Sequence, residues 1–140
     1  MPDFDTGLKH RVKRLAQQIA DQHRHLGALK REIDAALERG ERGATGDAFA
    51  RFEAALGAHF DLEQGFFFPA LHGLSPSRSS ALEALESEHA ILLGRLRGVA
   101  AGIEGDPLGA TRAALEQCSA ALRDHEQREE ALVGLISLRV

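Results

Sequence analysis

Apolar residues recur along this chain at steps of three, four and seven residues, which is the spacing of one helical face. In the first segment, from about Thr6 to Arg39, the stripe consists of Leu8, Val12, Leu15, Ile19, Leu26, Leu29, Ile33 and Leu37. Stretches that contain Gly or Pro, at 40–47, 73–77 and 102–107, divide the 140 residues into four such segments. No segment alternates with a period of two, so the sequence predicts an all-α protein.

Start signals place the later helices. The second is expected to begin near Asp47, with Pro69 kinking or ending it. The third and fourth begin at Ser75-Pro76 and Asp106-Pro107, each with Pro at the first helical position. Because helices with short connections pack antiparallel, we expect one up-down-up-down four-helix bundle, a single domain over residues 1–140.

Composition excludes several function classes. A formal net charge of −4 gives no electrostatic footprint for nucleic acid, so no such partner is expected. No apolar run is long enough to span a bilayer, so no membrane association is expected either. No export signal is seen, which predicts a cytoplasmic protein. A single cysteine, Cys118, excludes an internal disulfide and a cysteine-based zinc ribbon, and we expect it to be buried and inert.

Gaps in the apolar stripes are filled by polar side chains. His23 fills the gap in the first stripe, and His89 fills the gap in the third. The second and fourth helices each carry a His-x-x-x-Glu pair, which lies on one helical face: His59 with Glu63, and His125 with Glu129. A buried carboxylate without a partner costs several kcal/mol, so this set is better explained by a cation such as iron, zinc or manganese.

The two halves of the chain repeat these positions in register. His59 follows His23 by 36 residues (59 − 23), and His125 follows His89 by 36 (125 − 89). A shift of 66 residues (89 − 23, 125 − 59) superposes the halves, and we call this the 66-residue repeat. The shift also pairs core positions: Ile19 with Leu85, Leu26 with Leu92, Phe49 with Leu115, and Leu56 with Leu122. Two helical hairpins related by a pseudo-two-fold axis would present two ligand sets, suited to two ions bridged by carboxylates.

Four short motifs, one on each predicted helix, cover nearly the whole chain in order. They are Asp21-Gln22-His23-Arg24-His25-Leu26, His59-Phe60-x-x-Glu63 followed by Phe67-Phe68-Pro69, Leu85-Glu86-Ser87-Glu88-His89, and His125-x-x-x-Glu129-Glu130. Together they resemble the hemerythrin-like HHE cation-binding domain family. The resemblance implies a four-helix bundle with two iron ions bridged by an oxo or hydroxo group. Family members bind oxygen, sense or detoxify oxygen, peroxide or nitric oxide, or handle iron.

The sequence departs from the oxygen carriers of this family on the third helix. The carriers have His-x-x-x-His there, whereas Leu85 stands four residues before His89, which argues against reversible oxygen carriage. Glu86 either supplies the missing ligand or is a partly solvated residue at the edge of the apolar face. On the fourth helix, Glu129 lies about 40° from His125 around the axis and Glu130 about 140°, so Glu129 is the predicted ligand.

These residues lead to one functional hypothesis and an alternative. The first is a non-heme di-iron protein that binds, senses or reduces a small oxidant such as dioxygen, peroxide or nitric oxide. Glu63 and Glu129 would bridge the ions, and the four histidines would be terminal ligands. The alternative is non-catalytic iron storage or delivery, or a structural zinc bundle, because zinc binds the same groups. A di-iron oxidase or peroxide-consuming activity stays open, and either a monomer or a homodimer fits.

The remaining histidines and a run of phenylalanines receive structural interpretations. His10, His25 and His72 lie outside the repeat register and are predicted to be surface residues. The run 66–68, three consecutive phenylalanines, is expected to fill the core near the end of the second helix. A histidine phosphotransfer bundle is disfavoured because it does not explain the two core-facing glutamates.

Overall fold

Helices account for almost the entire backbone of residues 2–138, which are the residues that the computed structural model describes. The α-helices are α1 (Pro2–Glu38), α2 (Arg42–Leu62), α3 (Phe68–Leu74), α4 (Ser79–Gly105) and α5 (Leu108–Leu138). A π-helical segment, Glu63–Phe67, joins α2 to α3 without a break, and a single 3-10 turn, Pro76–Arg78, precedes α4. The described residues contain no strand and no helix that is long and apolar enough to cross a membrane.

Successive helical rods run antiparallel, as predicted. α1 packs along α2, α2 packs against α4, and α4 packs along α5. Leu8, near the start of α1, lies beside Gly73 at the end of α3, where an added Cβ would be 3.0 Å from its side chain. Lys30, towards the end of α1, pairs with Glu116 near the start of α5 at 3.3 Å. These contacts close an up-down-up-down bundle in which α2, the π segment and α3 together form the second rod.

The first connection is much shorter than the predicted break at 40–47. Gly40 has a φ of 69°, and the N–H groups of Gly40 and Glu41 bond back to the carbonyls of Leu37 and Ala36. This is a Schellman cap, which needs glycine because other residues rarely adopt positive φ. The predicted helix start near Asp47 is wrong, since α2 begins at Arg42.

The first turn of α2 is held by partners that lie far away in sequence. The Arg42 guanidinium donates to the backbone carbonyls of Ile103 and Asp106, at the carboxyl end of α4. These bonds satisfy orphan carbonyls of α4 and anchor the start of α2 at the same time. Likewise, the predicted third break at 102–107 is helical up to Gly105, and only Asp106 and Pro107 interrupt the chain.

Pro69 neither ends nor breaks the second rod. The distortion occurs one turn earlier, where the Phe68 N–H bonds to the Glu63 carbonyl in place of the usual partner four residues back. A wider turn before a proline accommodates its ring and its missing N–H. The extra residue also turns Phe66 outward, where it is 63% exposed, while Phe67 and Phe68 are buried. The prediction that all three fill the core is therefore wrong for Phe66.

Two apolar clusters form the core, one above and one below a polar layer. The first cluster contains Leu26, Leu29, Ile33, Leu37, Ala48, Phe49, Phe52, Leu56, Phe60, Leu92, Leu96, Val99, Ile103, Leu115 and Cys118. The second contains Val12, Leu15, Ile19, Phe67, Phe68, Ala70, Leu71, Leu82, Leu85, Leu132 and Ile136. On α1, α4 and α5, the predicted histidine or His-x-x-x-Glu pair lies between the residues of these two clusters, and on the second rod Glu63 does, with His59 next to Phe60 of the first cluster.

The outward turn of Phe66 gives a matched pair of stability variants. Phe68→Ala should lower the free energy of unfolding by about 3–5 kcal/mol, because it empties a fully buried ring position. Phe66→Ala should change it by less than about 0.5 kcal/mol, because this ring is exposed. Urea titrations followed by circular dichroism measure both, and equal losses would contradict the described register of the π segment.

Candidate metal centre

The polar layer brings six predicted ligands into one part of the bundle. α1 supplies His23, the second rod supplies His59 and Glu63, α4 supplies His89, and α5 supplies His125 and Glu129. His23 is half-buried, and the other five side chains are buried. The layer is thus almost closed to solvent, which makes its polar atoms costly unless something pairs with them.

The first group of ligand atoms combines α1 with the second rod. One atom each from His23, His59 and Glu63 lie within 4.8 Å of one another. The two imidazole Nε2 atoms are 3.2 Å apart, and His59 Nε2 is 3.6 Å from Glu63 Oε1. Two donors at about 2.1 Å from one ion and at right angles would be roughly 3 Å apart, so this spacing suits a shared cation.

The second group combines the second rod with α4 and α5. One atom each from Glu63, His89 and His125 also lie within 4.8 Å of one another. Glu63 Oε1 is 3.1 Å from His89 Nε2, and Glu129 Oε2 is 3.7 Å from His125 Nε2. Glu63 therefore belongs to both groups, whereas Glu129 approaches only the second. Bridging by Glu63 and by Glu129 stays a prediction.

Several buried atoms of this layer have no hydrogen-bond partner among the described residues. They are both oxygens of Glu63, Nδ1 and Nε2 of His89, Nε2 of His125 and Oε2 of Glu129. The short approaches within the layer lack hydrogen-bond geometry, so they do not satisfy these atoms. Native proteins pair nearly all buried polar groups, and a cluster of orphaned imidazole nitrogens and carboxylate oxygens fits a bound metal ion.

Electrostatics keep the imidazoles neutral, which is the form that binds metals. Burial, together with a smaller effect of the nearby rings of His23, His89 and His125, lowers the pKa of His59 to about 3. Burial also lowers the pKa of His23 and of His89. Their nitrogen lone pairs are therefore free at neutral pH and do not have to lose a proton before binding a cation.

The two carboxyls are shifted in the opposite direction. Burial raises the pKa of Glu63 to about 7. It raises the pKa of Glu129 to about 10, with the neighbouring Glu63 carboxyl adding to the rise. Two carboxylates that meet in an apolar interior resist ionisation, and a cation between them removes that penalty.

A comparison with known families agrees with this donor set. The family model for the hemerythrin HHE cation-binding domain matches residues 14–134. The chain belongs to this family. No curated protein and no solved structure matches the chain significantly. The hemerythrin-like domain is thus a cation-binding domain, and its cluster of histidines and glutamates fits a metal site.

Two positioning contacts in the hemerythrin-like bundle were missed in the sequence. His59 Nδ1 donates to Gln22 Oε1 at 2.7 Å, and His125 Nδ1 donates to Glu88 Oε1 at 2.7 Å. Gln22 and Glu88 directly precede His23 and His89, the two single histidines that lie outside the His-x-x-x-Glu pairs. The two residues are themselves related by the 66-residue repeat (88 − 22). The repeat pairs their positions, but the contacts that they make to another helix are not visible in the sequence. Such contacts fix the ring orientation of metal-binding histidines.

The surroundings of the two single histidines break the repeat. The His89 ring stacks on Phe60, with centroids 3.8 Å apart, and on Phe68, at 5.8 Å. The repeat counterparts of these two rings are Glu126 and Gly134. Glu126 Oε1 is 4.0 Å from His23 Nε2, and Gly134 lines a crevice of about 270 Å³ next to His23. One half of the hemerythrin-like site is therefore walled by aromatic rings, and the other opens between α1 and α5.

The remaining candidates lie outside the two ligand groups. Glu86 is half-buried and belongs to neither of the two ligand groups found among the described residues, so its role as a ligand stays a prediction. Glu130 is exposed, in contrast to the buried Glu129. His10 and His25 are exposed as predicted, and the half-buried His72 pairs with the Ser79 hydroxyl at 2.8 Å. Glu126, whose carboxyl is 4.0 Å from His23 Nε2, was not among the sequence predictions.

The raised carboxyl pKa values predict how the stability of the chelator-treated protein depends on pH. Glu63 and Glu129 have folded pKa values of about 7 and about 10, above the ordinary 4.5. Their stabilising contribution is therefore present at low pH and is lost as the pH rises through these values. Well above pH 6.5, where His23, His59 and His89 are neutral in both the folded and the unfolded state, the free energy of unfolding should fall as the pH rises toward 10.

Urea titrations across this range test the effect with two adjacent variants. Glu129→Gln should flatten the decline because it removes the buried carboxyl, whereas Glu130→Gln should leave it unchanged because that side chain is exposed. Saturating Zn²⁺ should also flatten the decline by stabilising the ionised carboxylates. If the free energy of unfolding depended on pH in the same way in the parent protein and in both variants, this would count against a buried carboxyl pair.

Proposed function

We propose that this hemerythrin-like domain binds two iron ions and that the loaded centre binds, senses or reduces a small oxidant such as dioxygen, peroxide or nitric oxide. The observation that carries this proposal is the place of Glu63, whose carboxylate belongs to both ligand groups. A shared carboxylate between two sets of imidazoles is suited to two neighbouring ions rather than to one. Imidazole and carboxylate together are donors that iron accepts well.

The number of protein donors supports the binding of a small ligand at the two ions. Six donors divided between two ions leave coordination positions that the protein does not fill. Bound iron would supply a redox couple and an open position for a diatomic or peroxide ligand. The contribution of the chain itself is to fix the donors, to exclude bulk water and to provide a route for a small molecule.

The two sides of the polar layer are lined by different side chains, and this difference supports such a route. Phe60 and Phe68 cover His89 on one side of the layer and exclude water there. The crevice between α1 and α5 reaches the buried Glu129 beside the half-buried His23. Its volume of about 270 Å³ is ample for a diatomic molecule or a peroxide. A small oxidant would therefore approach from the His23 side of the layer.

Metal content and visible absorption test the proposal directly. The protein is purified without chelators, loaded anaerobically with ferrous iron and then exposed to air. Two irons per chain with new charge-transfer bands in air would support the redox function. Two irons without any oxidant-dependent change would favour iron storage or delivery. Zinc alone, or a single ion per chain, would contradict the di-iron proposal and favour a structural or simple cation-binding role.

Removal of the shared carboxylate should abolish the paired site. Glu63→Gln is expected to reduce iron from two ions per chain to one or none, because each ion loses a donor. Glu83→Gln, on the exposed face of α4, is the matched control and should retain two. Iron content measured by atomic absorption decides this, and two equivalents in the Glu63 variant would exclude Glu63 as the bridge.

Closing the crevice should slow the reaction with oxidants without removing iron. At Gly134 an added side chain would meet no atom within 4 Å at its Cβ, and its repeat counterpart is Phe68. Gly134→Phe is therefore expected to slow the spectral change in air or peroxide severalfold at unchanged iron content. Gly94→Phe, at another exposed helical glycine, is the control. Stopped-flow absorbance measures the rates, and unchanged kinetics in the Gly134 variant would place the route elsewhere.

A further inference from the structure

In the second half of the chain, charged groups hold Nδ1 of His125, the ring nitrogen that faces away from the glutamates of the polar layer. His125 Nδ1 is 2.7 Å from Glu88 Oε1. The Glu88 carboxylate is clamped by Arg128 through two bonds of 2.6 and 2.7 Å, and Arg128 Nε bonds to Asp124 at 2.9 Å. Because two guanidinium donors of Arg128 bind this carboxylate, Glu88 offers His125 a charged acceptor that is itself held in place.

The first half has the same geometry without the charges. His59 Nδ1 is 2.7 Å from Gln22 Oε1, which is an amide oxygen in place of a carboxylate. The repeat counterparts of Arg128 and Asp124 are Leu62 and Ala58, which carry no charge. The 66-residue repeat therefore conserves the position of the acceptor and changes its chemistry.

Both acceptors have the same effect on the tautomer of their histidine. A carboxylate and an amide oxygen can only accept, so Nδ1 of each ring carries the proton and Nε2 carries the lone pair. Nε2 is the atom that approaches the glutamates of the layer, 3.6 Å from Glu63 in His59 and 3.7 Å from Glu129 in His125. Each acceptor thus presents its histidine as a ready metal donor.

The acceptors differ in how strongly they polarise the ring. A carboxylate that accepts from Nδ1–H pushes electron density towards Nε2 and makes the imidazole a stronger donor, whereas an amide mainly orients it. We propose that Gln22 and Glu88 are positioning residues of the metal layer, and that their different chemistry makes the two metal positions inequivalent. The carboxylate strengthens the position served by His125 above what an amide there would give. The inference rests on the proposed binding of two ions.

Two other carboxyls lie near the polar layer, and they are the same in the parent protein and in the variants of Gln22 and Glu88. Glu126 and Glu130 approach His23 at 4.0 and 3.9 Å, and they act on the ligand group of the first half. Substitutions of Gln22 and Glu88 leave both of these carboxyls in place. The effect of each acceptor is therefore read as the difference between a variant and the parent protein.

Stepwise titration with Co²⁺, followed by visible absorption, tests the inference without any oxidant. Glu88→Gln keeps the size and the acceptor but removes the charge. It is expected to weaken one of the two binding steps about tenfold while leaving the other within about twofold, since lost outer contacts cost roughly 10–100-fold in affinity. Gln22→Leu should weaken the other step. Glu83→Gln on the exposed face of α4 should change neither.

The tautomers provide a readout that a merely structural role would not move. Nitrogen-15 NMR of histidine-labelled, chelator-treated protein should show His59 and His125 protonated at Nδ1. Gln22→Leu should release His59 into a mixture of tautomers, whereas Gln22→Glu should keep the Nδ1 proton and strengthen the corresponding Co²⁺ step. Circular dichroism melts of the same samples verify that each variant is folded.

The outcomes separate this inference from the proposed function. Two Co²⁺ ions in the parent protein, with both steps and all tautomers unchanged in the variants, would overturn the inference alone. Equal weakening of both steps by Glu88→Gln would also overturn it, because the effect would not be confined to one position. Fewer than two ions in the parent protein would count against the proposed two-ion centre itself.

Discussion

The structure depends on one layer of imidazoles and carboxylates that is buried between two apolar clusters. The clusters close over it from both ends of the bundle, so bulk water cannot pair with the orphaned atoms of Glu63, His89 and Glu129. Without a cation, the carboxyls resist ionisation and the imidazoles remain neutral, and each condition has a free-energy cost. A bound divalent ion would satisfy both kinds of donor at once, which couples metal binding to folding.

Internal duplication explains the donors, and its imperfections explain how their surroundings differ. Each hairpin supplies one single histidine and one His-x-x-x-Glu pair, and each adds an acceptor that orients the paired histidine. The halves differ where the repeat exchanges Phe60 for Glu126 and Phe68 for Gly134. Aromatic rings cover His89, while a carboxyl and an open crevice lie next to His23. A symmetric donor set therefore lies in an asymmetric cavity, which suits a centre in which one side admits a small molecule.

Features with a period were predictable from the sequence, and features set by tertiary contacts were not. The helical stripes and the 36-residue spacing predicted the bundle. They also predicted that six side chains face one region of the core, where the structure has them in one layer. The start of α2 was misplaced because Arg42 is anchored by carbonyls of α4 that lie 61 and 64 residues away. Phe66 was misplaced because the π segment adds a residue to the turn, which no apolar pattern reveals. Glu88 was missed because its role lies in a contact to another helix.

The π segment also bears on the shared position of Glu63. It begins at this residue, and the Glu63 carbonyl accepts from Phe68, five residues on, whereas the corresponding stretch of α5 from Glu129 is a regular α-helix. A regular helix would present the residues after Glu63 with the same twist as those after Glu129. The wider turn adds a residue between Glu63 and Phe68, so Phe67 and Phe68 point in directions that a regular helix starting from Glu63 would not give them. The carboxylate that reaches both histidine groups thus lies where the backbone of the second rod departs from that of α5, and π-helical turns are frequent at functional sites.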